Sequence, residues 1–147
     1  MSPFDIKSVL LAKHAQHVVL IHFPIALFLA GVVFDLAAHW KRDASLAAAA
    51  YYNLLGAAVS TLPVVATGLL AWRWQLEGAR LKGNLLLHLS LGLLSSLLIF
   101  MAWLFHYRAR RRSGSALPGY RWPVEVAGAF CVALTGHLGG FLSGVNG

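Results

Sequence analysis

The hydropathy pattern of the chain consists of four long apolar runs separated by short polar stretches. The runs cover residues 18–40, 46–74, 85–107 and 124–145. Each is long enough for the about 20 residues of helix that cross a bilayer. The short connections make successive helices antiparallel. The sequence therefore predicts an all-α integral membrane protein, a single four-helix bundle with up-down-up-down topology.

The residues before the first run have a different pattern. Residues 1–16 are mildly amphipathic and predict a short interfacial helix that leads into the first span. The apolar run that follows is too long for a signal peptide and has no small-residue cleavage site. Pro24 predicts a bend near the entrance of the first span, and Pro63 predicts a kink in the second.

Composition supports the membrane assignment. Hydrophobic residues make up 59% of the chain, charged residues only 12%, and the mean hydropathy is +0.69. A soluble domain is about half apolar and a quarter charged. The formal charge of +7 comes from residues between the apolar runs, which favours lipid headgroups over nucleic acid as the partner. The single cysteine, Cys131, offers neither a disulfide nor a thiolate cluster.

The basic residues are distributed unequally between the two ends of the predicted bundle. The end that holds the loops after the first and third runs carries Lys41, Arg42, Arg108, Arg110, Arg111, Arg112 and Arg121. The opposite end carries Lys7, Lys13, Arg73, Arg80 and Lys82. Because basic loops stay on the cytoplasmic side, the arginine-rich end is predicted to face the cytoplasm. Both termini then face outward, to the side that would be the periplasm if the membrane were a bacterial inner membrane.

Histidines are the main candidates for chemistry. An ionisable side chain inside a span is a functional-site hypothesis by default. His22, His88 and His137 lie on three different spans, each near the predicted periplasmic end. The antiparallel topology therefore places them in one layer. Imidazole is the usual axial ligand of b-type haem and a common ligand of copper, zinc or iron.

Other residues in the same layer favour haem over a bare metal ion. Gly68, Gly92, Gly136 and Gly140 offer the slim backbone that a flat macrocycle needs beside it. Arg73 stands at the rim, where a guanidinium pairs well with propionates. The same residues also have plainer explanations, because glycines allow tight helix packing and arginines anchor to headgroups.

Four further histidines are weaker candidates for metal ligands. His14 and His17 form a pair one helical turn apart at the periplasmic surface that could bind a metal ion, but solvation or an entry path explains them better. His39 and His106 end their spans at the opposite side, among aromatic residues and arginines. The two acidic residues within or at the ends of the spans, Asp35 and Glu125, are expected to pair with Arg42 or Arg121, rather than to relay protons.

Several of these motifs resemble a known family. They are His14-x-x-His17-x-x-x-x-His22-Phe-Pro-Ile-Ala-Leu, Phe34-Asp35-Leu36, Thr67-Gly68, His88 and Gly139-Gly140-x-Leu142. Together they are similar to the bacterial membrane family known as domain of unknown function 2231, over nearly the whole chain. Members can be joined to c-type cytochrome modules, so the resemblance implies a place in electron transfer at the outer face.

Three hypotheses for function follow from the sequence. The first is a small membrane redox subunit that binds b-type haem, with His22 and His88 as axial ligands and His137 as a substitute or second-shell partner. It would pass electrons between the quinone pool and a periplasmic carrier, within a larger complex that includes a c-type cytochrome. The second is a cofactor-free structural subunit of a membrane complex. The third is a copper- or zinc-binding membrane protein. A redox subunit is favoured over a stand-alone enzyme.

Overall fold

The computed structural model describes residues 15–74, 76–112 and 116–142. Five helices account for most of them: α1 (Ala15–Leu20), α2 (His22–Lys41), α3 (Ala44–Trp74), α4 (Gly83–Arg111) and α5 (Arg121–Leu142). With α1 and α2 taken together as one span, four helical segments are long and apolar enough to cross a membrane. The predicted all-α, four-span fold is confirmed. Residues 1–14 of the expected interfacial helix, and the end of the fourth run beyond residue 142, lie outside the described residues.

The hydrogen-bond ladder of the first span is interrupted near its entrance. Pro24 has no N–H to donate to the carbonyl one turn before it. Ile21, between α1 and α2, keeps helical dihedral angles, and its backbone N–H donates to the carbonyl of His17 at 3.0 Å. α1, which carries His17, and α2 therefore belong to one span. The second span, α3, continues as helix through Pro63.

The helices pack through small residues. α2 pairs closely with α3, and α4 pairs closely with α5. A Cβ atom placed on Gly31 would lie 2.9 Å from the side chain of Leu54, and one placed on Gly128 would lie 2.7 Å from the ring of Phe28. Only glycine allows these approaches. Such contacts are the usual basis of helix association in lipid, where burial of apolar surface gives no net gain.

The buried face of each long helix is a narrow stripe. Along α2 and α4 the buried positions alternate in spacing between three and four residues, as in other left-handed bundles. They are Pro24, Phe28, Gly31, Asp35 and Ala38 on α2; Ala50, Leu54, Ala57, Ala58 and Thr61 on α3; Ser95, Ile99, Ala102 and His106 on α4; and Arg121, Glu125, Gly128, Cys131 and Val132 on α5. Large apolar side chains such as Val33, Val126 and Phe130 point outward, as expected for a surface in contact with lipid.

The two ends of the bundle differ in character. One end, here called the cavity end, contains α1, the connection 76–82, the start of α4 and the end of α5. The other, called the arginine-rich end, contains the connection between α2 and α3, the end of α4 and the start of α5. At each end, the described residues include a group of polar side chains.

Candidate functional site

An apolar cavity of about 230 Å³ lies at the cavity end, between α1, α3, α4 and α5. It is only partly enclosed. Most of its lining is aliphatic, from residues such as Ile25, Leu89 and Leu93. Two imidazoles, those of His17 and His88, are part of the wall. A mostly apolar pocket with a few polar groups is the usual form of a ligand or cofactor site.

The imidazole of His88 is held in place by the neighbouring helix α5. His88 is half-buried, and its Nδ1–H donates to the backbone carbonyl of Thr135 at 3.1 Å. A Cβ placed on Gly139 would lie 3.2 Å from its Cε1 atom, so the ring packs against bare backbone. The hydrogen bond fixes the proton on Nδ1 and the lone pair on Nε2. This is the arrangement that orients a histidine for ligation.

The imidazole of His17 is held in a similar way by α3. Its Nδ1 lies 3.2 Å from the hydroxyl oxygen of Thr67. Because that hydroxyl donates its own hydrogen to the carbonyl of Pro63 at 2.8 Å, it accepts the Nδ1–H of His17. A Cβ placed on Gly68 would lie 2.9 Å from Cε1 of the ring. The lone pair of His17 is therefore on Nε2, as it is in His88.

The other two histidines of the predicted layer are not part of the cavity wall. His22 is exposed, and its Nδ1–H donates to the carbonyl of Val18 one turn before it, at 2.7 Å. His137 is exposed too, and its ring meets Phe141 edge-on at 5.0 Å. The antiparallel topology gives both a depth near that of His88, but their positions around the helix turn them away from the cavity.

The four predicted glycines and Arg73 do not all line the cavity. Gly68, Gly92 and Gly136 line the cavity, whereas Gly140 does not. Arg73 is exposed in the last turn of α3, at the same end of the bundle but outside the lining.

The weaker candidates are placed apart from one another. His14 lies outside the described residues. His39 is exposed and meets the ring of Trp122 edge-on at 5.5 Å. His106 is buried, and it belongs to the polar group at the arginine-rich end.

That group is a buried network of charged side chains from α2, α4 and α5. The Nε–H of Arg121 donates to Oδ2 of Asp35 at 2.7 Å. The Nε2–H of His106 donates to Oε1 of Glu125 at 3.1 Å, and the same Nε2 lies 3.9 Å from Oδ1 of Asp35. All four side chains are buried. The network joins three helices, and Asp35 makes the pair with Arg121 that was one of the two expected.

The hydrogen bonding of this network is incomplete. Among the residues that the structure describes, Oε2 of Glu125 finds no hydrogen-bond partner, and neither does Nε1 of the nearby helix residue Trp103. The guanidinium of Arg121 also stacks over the ring of Trp122, 4.0 Å from its centre. Unsatisfied buried polar atoms are rare and call for an explanation such as an ion or a water molecule.

Comparison with known proteins agrees with this architecture. The chain matches the predicted membrane proteins of DUF2231 over residues 13–147, which is nearly its full length. The chain belongs to the DUF2231 family. No curated protein and no solved structure matches it.

For this DUF2231 protein, sequence reasoning missed the buried network as a unit. The sequence places His106 with His39, because both end their spans, and it predicts separate ion pairs for Asp35 and Glu125. A usable signal was present in the spacing. His106 continues the series Ser95, Ile99 and Ala102 at intervals of three and four residues, which is the pattern of a buried helix face.

Proposed function

We propose that this DUF2231 protein is a small electron-transfer subunit of the bacterial inner membrane that binds a b-type haem at the cavity. His88 and His17 would be the axial ligands, so that His17 takes the role first expected of His22 or His137. The observation that supports this proposal is the pair of imidazoles that line one apolar cavity, each with Nδ1 bonded to an acceptor from another helix.

The residues around the cavity fit such a group. Axial histidines commonly donate Nδ1–H to a carbonyl or another acceptor, which raises the basicity of Nε2 and fixes the ring. Gly68, Gly92 and Gly136 line the cavity without adding side chains to its wall. A bound haem would supply one-electron chemistry by cycling between ferric and ferrous iron.

The chain's own contribution is orientation and exclusion of water. Thr135 and Thr67 set the tautomers of the two ligands, and the aliphatic lining lowers the local dielectric constant. The excess of basic residues at the arginine-rich end supports an orientation with that end in the cytoplasm. The cavity would then be near the periplasmic face, where the subunit would pass electrons between quinone and a periplasmic carrier such as a c-type cytochrome, within a larger complex.

We expect the protein, purified from cells supplied with haem, to show a Soret band and sharp visible bands after reduction with dithionite. His88→Ala should remove the sharp bands, because one axial ligand is lost. His39→Ala is the matched control, since His39 is exposed at the other end of the bundle, and it should leave the spectrum unchanged.

Each alternative outcome has a clear meaning. Sharp bands that survive in a folded His88→Ala protein would remove His88 from the site. Bound copper or zinc without haem bands would favour a metal-binding protein. A protein with neither haem nor metal would leave a structural subunit.

Gly68→Ala tests the role of His17 without removing any ligand. The new methyl group would lie 2.9 Å from Cε1 of His17, so the ring has to shift, whereas the methyl group of Gly119→Ala, at the arginine-rich end, would meet no atom of the described residues within 4 Å. We expect Gly68→Ala to convert part of the ferric haem from low spin to high spin, measured by electron paramagnetic resonance, and Gly119→Ala to resemble the parent. Identical spectra for both variants would argue against His17 as a ligand.

A further inference from the structure

The buried network at the arginine-rich end has the geometry of a cation site. Asp35, His106 and Glu125 each offer one ligand atom, and these atoms all lie within 4.8 Å of one another. Nε2 of His106 is 3.1 Å from Oε1 of Glu125 and 3.9 Å from Oδ1 of Asp35. Zinc binds nitrogen and carboxylate oxygen at about 2.0–2.2 Å, which places its ligand atoms about 3–4 Å apart. Two of the three separations satisfy this, and the third, between the two carboxylate oxygens, is no more than 4.8 Å.

A second observation points to a ligand at the same place. Glu125 is 0% exposed, and its Oε2 finds no hydrogen-bond partner among the described residues. A carboxylate oxygen left unbonded in the interior loses its hydration without compensation. A cation chelated by both oxygens of Glu125 would satisfy Oε2 as well as Oε1.

Arg121 orients Asp35 and is not itself a ligand of the cation. Its guanidinium bonds Oδ2 of Asp35 and leaves Oδ1 directed toward His106. Two carboxylates face one guanidinium here, so the cluster carries one excess negative charge when His106 is neutral. Second-shell partners of this kind commonly orient carboxylate ligands in metal sites.

We propose that Asp35, His106 and Glu125 bind one divalent transition-metal ion, with Zn²⁺ as the best fit. One imidazole and two carboxylates form a donor set suited to zinc, and the set contains no thiolate or thioether that would select a softer ion. The ion would take the place of the proton on Nε2 of His106, which moves to Nδ1 and leaves the imidazole neutral. It would link α2, α4 and α5 at the end of the bundle opposite the cavity. The proposal does not depend on haem at the cavity.

The test uses the full chain in detergent, stripped with a chelator and then titrated with Zn²⁺ alone. We expect one tight equivalent by calorimetry, confirmed by elemental analysis after desalting. Glu125→Gln keeps the shape of the side chain but removes its charge, and it should weaken binding about 100-fold or more. Glu77→Gln is the matched control, because Glu77 is exposed in the connection 76–82, and it should bind as the parent does.

Two further measurements separate this site from others on the chain. His88→Ala should retain the tight equivalent, because His88 is at the cavity end. Co²⁺ added to the parent protein should give the visible bands of an imidazole and carboxylate site, with no sulfur-to-cobalt charge transfer from Cys131. The cobalt spectrum tests for an imidazole and carboxylate site even if Glu125→Gln does not fold.

The proposal would be overturned by a parent protein that binds no tight zinc. It would equally be overturned by tight binding that persists in folded Glu125→Gln, by binding that is lost in His88→Ala instead, or by a thiolate band with cobalt.

Discussion

Replacing Arg121 with glutamine should lower the free energy of unfolding by about 3–5 kcal/mol, the usual cost of removing one partner from a buried ion pair. Arg121 is buried, and its Nε–H donates to Oδ2 of Asp35 at 2.7 Å. Without the guanidinium, two carboxylates remain in the interior with only His106 beside them. The variant also loses the stacking of the guanidinium on Trp122.

The measurement is unfolding of the chelator-treated protein in mixed micelles of increasing denaturing detergent, followed by circular dichroism. Arg112→Gln is the matched control, because Arg112 is exposed at the end of α4, and its effect should stay within about 0.5 kcal/mol. Adding Asp35→Asn to Arg121→Gln removes the stranded charge and should recover part of the loss. If Arg121→Gln were no less stable than Arg112→Gln, the ion pair would have no role in holding the three helices together.

The four spans could be predicted because their signal is local. A run of about 20 apolar residues has few alternatives to a membrane helix, whatever the rest of the chain does. The helices accordingly coincide with the predicted runs, extended by a few residues at most ends. The interruption of the hydrogen-bond ladder near the entrance of the first span also has a local cause in Pro24.

The sequence could predict the depth of the histidines in the bundle, but not the direction in which their side chains point. The topology predicts the height of each histidine along the bundle axis, and it puts His22 and His88 at similar heights. Which way a side chain points depends on the rotation of its helix, and each residue turns by about 100°. His17 faces the cavity and His22 does not, because five residues of helix turn their side chains about 140° apart. Residue type alone carries no information on that rotation.

The buried network was predictable in principle from helix periodicity. Asp35 follows Phe28 and Gly31 by intervals of three and four residues, so it lies on the face through which α2 packs. The prediction that Asp35 pairs with an arginine used charge alone and found one correct partner. It did not place His106 and Glu125 in the same cluster, because the contact between α2, α4 and α5 joins residues that are distant along the chain.

The second large effect is expected for Phe28→Ala, which should lower the free energy of unfolding by about 3 kcal/mol. Phe28 is 0% exposed and lies at the centre of the core, against Gly128 of α5. Removing the ring leaves a cavity that the surrounding backbone cannot fill. The estimate is at the lower end of the range for soluble cores, because detergent also solvates the ring in the unfolded state. Phe130→Ala is the control, since Phe130 is 66% exposed toward lipid and should matter little.

A double-mutant cycle with Gly128→Ala tests whether the loss of stability comes from the contact between the ring of Phe28 and Gly128. The new methyl group would lie 2.7 Å from Cζ of Phe28, so Gly128→Ala alone should cost about 1–3 kcal/mol by overpacking. In the Phe28→Ala background the clashing atom is gone, and the methyl group occupies part of the vacated space. The double variant should therefore be more stable than the sum of the single effects by about 1 kcal/mol or more. Strict additivity would mean that α2 and α5 do not meet at this ring. A different contact would then have to position the two polar groups of the bundle.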